Sequence, residues 1–194
     1  SIYAVLSQLE FIDEKGDFIR FYRGAEDFWK DRFPEVPYKD NNDIVLNLLG
    51  GNFLITTSNL FCRRSVFKDV CYFENLKYTH DYEFFLRLCK HYKVSVIDQP
   101  LLKYRVHPLN TLKSNEAELS LEVGLILTKF LLNYDIENIF KDEVKSYDAL
   151  LRLFNSVNTY YSDKIIIILL LCAIKYTRDD HIYKQLTDNI DNPL

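Results

Sequence analysis

In this sequence of 194 residues, Asp81 is the side chain best placed to do chemistry. It opens a run in which Phe84, Phe85, Leu88 and Tyr92 fall on one helical face. A carboxylate in the first turn of a helix sits among free backbone N–H groups, which keep it ionised and fixed in direction. A general base needs both properties. Taken alone, Asp81 also reads as a plain helix cap. His80 precedes it and either shares in proton handling or only meets solvent, the second being the preferred reading. His107 ends a strand-like run, and imidazole is a good ligand for divalent metals. Arg63, Arg64 and Arg105 offer guanidinium groups for an anion, with surface charge or ion pairing as their plainer roles. Ser58 and Asn59 offer a hydroxyl and an amide near a strand end, and Trp29 is the only tryptophan, either a ligand contact or an anchor for its loop.

The elements that must carry these residues follow from periodicity. An apolar run from Ile2 to Ile12, closed by Asp13-Glu14-Lys15-Gly16-Asp17 and resumed by Phe18-Ile19, predicts a hairpin. Asp27 to Tyr38, with two prolines, predicts a loop containing a short helix. Ile44–Leu49 reads as a short helix stopped by Gly50-Gly51, and Asn52 to Arg63 as a strand. Ser65 opens a helical turn that ends near Val70. The helix over Asp81 to Tyr92 is followed by a strand over Lys93 to Asp98, a break at Pro100, and a second strand over Leu101 to His107. Beyond Leu112 the pattern is helical. Asn115 and Glu118 resemble a capping box ahead of Leu119, Val123, Ile126, Leu127, Phe130 and Leu131. Further helices are read from Ile136 to Phe154, from Ser162 through Ile174 and from Asp179 to Leu186.

Composition narrows the function classes. Residues 1–113 carry a net +1 and residues 114–194 a net −5, so no positive field is available to hold a nucleic-acid backbone. Nucleic acid is therefore not an expected partner. The longest apolar run, Ile165 to Ile174, is ten residues, half of the roughly 20 that a membrane span needs. Cysteines at 62, 71, 89 and 172 form no CxxC pair, which argues against a structural zinc site and predicts reduced thiols in a cytoplasmic setting.

The order of motifs between Gly51 and Leu112 resembles the second half of family 2 glycosyltransferases of the GT-A fold. The residues that carry this are Thr57-Ser58-Asn59-Leu60-Phe61-Cys62-Arg63-Arg64, then Thr79-His80-Asp81 opening a helix with Leu86-Arg87-Leu88, then Pro100-Leu101 and Tyr104-Arg105-Val106-His107. Ile12-Asp13-Glu14-Lys15-Gly16 also looks like the hairpin that follows the family's metal-binding carboxylates. The resemblance covers residues 1–113. It implies a mixed α/β fold, the acceptor-side half of a Rossmann-like GT-A domain over 1–113, with an all-helical C-terminal extension over 114–194.

The resemblance also implies an activity: inverting transfer of a sugar from a nucleotide-diphosphate donor to a saccharide or lipid-linked acceptor, in bacterial surface polysaccharide or lipid-linked glycan synthesis. Asp81 would be the base that deprotonates the acceptor hydroxyl. Ser58, Asn59, Arg63, His80, Arg105 and Trp29 would be substrate-side residues. His107 would lie near the diphosphate as a ligand of a divalent metal, Mg or Mn. His80 departs from the acidic residue usual in the family. No Asp-x-Asp pair lies upstream of the hairpin, so the donor-binding half is missing and the chain alone is not expected to catalyse transfer or to hold a metal. The expected setting is the cytoplasm, at the inner face of the membrane if the acceptor is a lipid. The alternative is a non-catalytic binding module, a degenerate transferase scaffold whose helical part docks a partner.

Overall fold

The computed structural model describes residues 1–32, 44–107 and 116–133. The chain divides into two compact units, Ser1–Leu48 with Asn52–Glu122, and Leu49–Gly51 with Val123–Leu194. The described residues are mixed α/β. Ala4–Ile12 forms β1, the centre of an open four-stranded sheet. Val94–Arg105 forms β4, which runs parallel to β1 along one edge from Ala4↔Val94 to Ile12↔Arg105. Two short strands share the opposite edge. Phe61–Cys62 forms β3, antiparallel to Ala4 and Val5, and Phe18–Tyr22 forms β2, antiparallel to Leu9 through Ile12.

The expected hairpin forms between β1 and β2, and Gly16 takes the positive φ of +96° that its turn requires. Asp13 closes the turn, its carboxylate accepting from the Lys15 and Asp17 N–H groups at 2.9 and 2.8 Å. Pro100 does not divide the last strand in two as expected. Instead β4 continues through it and absorbs Asp98, Gln99 and Leu101 as unmatched residues opposite Ser7 to Leu9. An edge strand with a bulge is where a proline, lacking an N–H, fits a ladder. The slip shows on β1 too, where the buried positions change from Ala4 and Leu6 to Leu9 and Ile12.

The strand expected over Asn52 to Arg63 shrinks to β3. Ile55 adopts φ +67° and the Thr56 N–H donates to the Leu54 carbonyl at 2.8 Å, a tight turn that stops extended pairing. Thr57–Asn59 then forms a 3₁₀ turn capped by the Thr56 side chain.

Ala25–Arg32 forms α1, so Trp29 lies on a helix rather than in a loop. Asp27 anchors this helix by accepting from the Arg23 N–H at 2.7 Å and its guanidinium at 2.9 Å. Ile44–Gly50 forms α2, stopped as expected at Gly51 with φ +149°. Val66–Asp69 forms α3. His80–His91 forms α4, whose Phe84, Phe85, Leu86 and Leu88 are buried, as are Leu6 and Leu9 of β1. Glu116–Asn133 forms α5, with Leu119, Val123, Ile126, Leu127 and Phe130 buried at the expected spacing. The helices expected beyond residue 133, Asn115 of the capping box, and prolines 34 and 37 lie outside the described residues. Among the described residues no helix is long and apolar enough to cross a membrane.

Candidate functional site

Asp81 sits in the first turn of α4, as its sequence position predicts, but two residues past the N-cap rather than at the cap itself. Thr79 is the N-cap, and its side chain makes no cap hydrogen bond. The backbone N–H of Tyr82 donates to Asp81 Oδ1 at 2.7 Å. Burial pushes the Asp81 carboxyl above its ordinary value, while that N–H and the neighbouring His80 pull it back. Burial prevails because Asp81 is half-buried. The charge of Asp81 reaches Tyr104 of β4, whose phenol is pushed up by burial first and by Asp81 second. Tyr104 stands opposite Phe11 of β1, their rings 5.5 Å apart. Asp81 thus belongs to the C-terminal half of the β1–β4 pair.

The segment leading into α4 is held at both ends. Arg87 of α4 donates to the Val70 and Tyr72 carbonyls, the second at 3.0 Å, and its guanidinium pairs with Glu83 at 2.6 Å. Glu83 is 4% exposed, so its charge is matched where water is excluded. Nearer Asp81, the Glu122 carboxylate of α5 accepts the N–H groups of Lys77, Tyr78 and Thr79 at 3.0, 2.9 and 3.1 Å, and the Thr79 hydroxyl at 3.1 Å. Burial pushes the Glu122 carboxyl up, but these donors outweigh it and hold the group below the usual glutamate range. Glu118 accepts from the Tyr78 hydroxyl and Lys77 Nζ, both at 2.9 Å. The buried Tyr82 hydroxyl donates to the Leu48 carbonyl, which ties α4 to α2.

The other candidates disperse along β1. Asn59 spends its amide on Ser7: its Oδ1 accepts from the Ser7 N–H at 3.2 Å and hydroxyl at 2.8 Å, and its Nδ2 donates to the Ser7 carbonyl at 2.6 Å. Ser58 is exposed on the same 3₁₀ turn. Arg63 is exposed, its guanidinium 5.2 Å from the centre of the Tyr3 ring. Arg105 donates to the Asp13 and Glu14 carbonyls at 2.9 and 2.8 Å and so clamps the hairpin turn. Tyr3 and Asp13 are separated by ten strand steps, roughly 30 Å at 3.3 Å per residue, so Arg63 and Arg105 sit at opposite ends of the sheet. One phosphate group cannot engage both. His80 is exposed, with its ring edge-on to Phe73 at 6.4 Å. Trp29 lies on α1, away from the chain position of any other candidate.

His107 follows β4 and is half-buried. Among the described residues no three His, Cys, Asp or Glu side chains converge as metal ligands would. The described residues therefore do not fit a complete divalent-metal centre.

Sequence reasoning missed Glu122 and Tyr104. Glu122 left a signal, since it follows Glu118 by four residues on one helix. Two acids in that relation repel unless donors from elsewhere face them. Tyr104 stood in the quoted Tyr104-Arg105-Val106-His107 run, but nothing local marked it as a neighbour of Asp81. Compared with family models, with curated proteins and with solved structures, the chain matches none of them.

Proposed function

We propose that this chain is the acceptor-side part of an inverting glycosyltransferase of the GT-A type, with Asp81 as its general base. The observation that carries the reading is the environment of Asp81. Its carboxylate is aimed by the Tyr82 N–H and made more basic by burial. A carboxylate made more basic in this way is suited to take the proton of a sugar hydroxyl. In the proposed step the acceptor oxygen attacks the anomeric carbon of a nucleotide-diphosphate sugar from the face opposite the leaving group. The new C–O bond forms as the bond to the diphosphate oxygen breaks. The acceptor proton passes to Asp81, and the diphosphate leaves with the bonding electron pair. The donor diphosphate would be held by a further half of the domain. Acceptors fitting this chemistry are saccharides or lipid-linked saccharides of a bacterial surface glycan, met at the inner face of the membrane.

The test is transfer from nucleotide sugars by a protein that carries both this chain and a donor-binding half. Asp81→Asn should abolish turnover without loss of folded structure. Wild-type turnover in that variant would sink the assignment.

A second reading, a binding module on a degenerate transferase scaffold, has its own support. Asn59 and Arg105, two of the expected substrate contacts, hold the chain's own backbone. It predicts docking of a partner through the helical part that survives Asp81→Asn, and no transfer from any donor.

A further inference from the structure

We propose that Glu122 is a positioning residue for Asp81, acting by keeping the Thr79 hydroxyl away from the start of α4. The proposal rests on the reading of Asp81 as the working base, but its physical content can be measured without any transfer assay.

A helix leaves its first N–H groups without partners, and a threonine at the N-cap ordinarily accepts one from the second or third helical residue. Thr79 holds the N-cap position of α4, yet its hydroxyl donates to Glu122 instead. Its own N–H and those of Lys77 and Tyr78 converge on the same carboxylate, so the whole approach to the helix is set by α5. The N–H that Thr79 would have capped belongs to Tyr82, the third residue of the helix. That N–H goes to Asp81 Oδ1 at 2.7 Å. One carboxylate thereby frees the donor that orients another. The charged or titratable groups around the pair are His80 and Tyr104 beside Asp81, and Lys77, Tyr78 and Glu118 beside Glu122.

Without Glu122 the Thr79 hydroxyl is free to rotate and accept from Tyr82. Asp81 then loses its donor and turns outward. The lost N–H alone would raise its titration, but turning outward removes burial, the larger influence, so the net change should be a fall toward the ordinary aspartate value of 3.8.

The experiment is a carbon-13 NMR titration of the Asp81 carboxyl in this chain, the signal assigned by its loss in Asp81→Asn, with circular dichroism to follow the fold. Glu122→Ala should lower the Asp81 titration midpoint. Adding Thr79→Val to Glu122→Ala should restore it, because valine has no oxygen with which to cap Tyr82. A merely structural role for Glu122 predicts no such rescue. Thr79→Val alone should leave the midpoint where it is in the wild type. An unchanged midpoint in folded Glu122→Ala, or no recovery in the double variant, overturns the proposal. If Glu122→Ala does not fold, Glu122→Gln carries the test: its one carbonyl oxygen serves only some of the four donors, so a partial fall is expected and an unchanged midpoint overturns the proposal. Failure of the glycosyltransferase reading would look different, as an Asp81→Asn protein that still transfers sugar while this coupling stands.

Discussion

Asn59→Ala should damage the fold rather than a binding pocket, and its magnitude can be worked from β1. On the edge away from β4, β3 pairs with Ala4 and Val5 and β2 begins at Leu9, so neither strand reaches Ser7. The Asn59 side chain fills that gap as a strand's peptide group would, with three hydrogen bonds to a residue only 9% exposed. At about 1 kcal/mol net for each, their removal costs about 3 kcal/mol, since little water can replace them. For a chain of this length that is a fall in Tm of about 6 to 12 °C. Urea unfolding followed by circular dichroism should show a lower midpoint with unchanged slope, the mark of lost stability without a change in the surface exposed. Asn59→Asp offers a control with a sign. It keeps acceptors for the Ser7 N–H and hydroxyl but sets a carboxylate oxygen against the Ser7 carbonyl. It should therefore regain part of its stability below about pH 3.9, where the protonated carboxyl donates again. An Asn59→Ala protein as stable as wild type would refute the reasoning and return the amide to ligand binding.

Phe84 of α4 is fully buried and packs against the rings of Phe67 and Phe73, so Phe84→Ala should lose about 3 to 5 kcal/mol by denaturant titration, and a loss below about 1 kcal/mol would mean that the site collapses to fill the cavity. Because Asp81 titrates above its ordinary 3.8, its protonated form adds stability that is complete below that pH and is lost as pH rises through the raised value. Asp81→Asn should then be more stable than wild type at pH 7 and lose that advantage near pH 3, as thermal unfolding at the two pH values will show. Cys71 is exposed at φ +61°, a region that favours asparagine over most residues, so Cys71→Asn should raise stability by about 0.5 to 1 kcal/mol. A decrease in the denaturation midpoint would show that the thiol makes a contact worth more than the strain.

Among the described residues, periodicity alone located the helices and the sheet's central strand. The face of Phe84, Phe85 and Leu88 defined α4, the Gly16 turn defined the hairpin, and Gly50-Gly51 ended α2, because apolar spacing and glycine's positive φ act within a few residues. Asp81's place in a helix's first turn was legible for the same local reason. What lay beyond the sequence was everything set by partners distant along the chain. Continuous β4 through Pro100 depends on β1 accepting a bulge opposite Ser7 to Leu9, some ninety residues earlier. Asn59 and Arg105 carry side chains suited to a ligand, but Ser7 and the hairpin carbonyls reach them first. An unpaired backbone group inside a fold is costly, and a nearby side chain that can satisfy it is drawn in. Residue types therefore announced which groups could bind something, and only the tertiary structure decided whether that something was the protein itself. It also supplied Glu122, whose role arises because α5 brings a carboxylate to three consecutive N–H groups more than forty residues away.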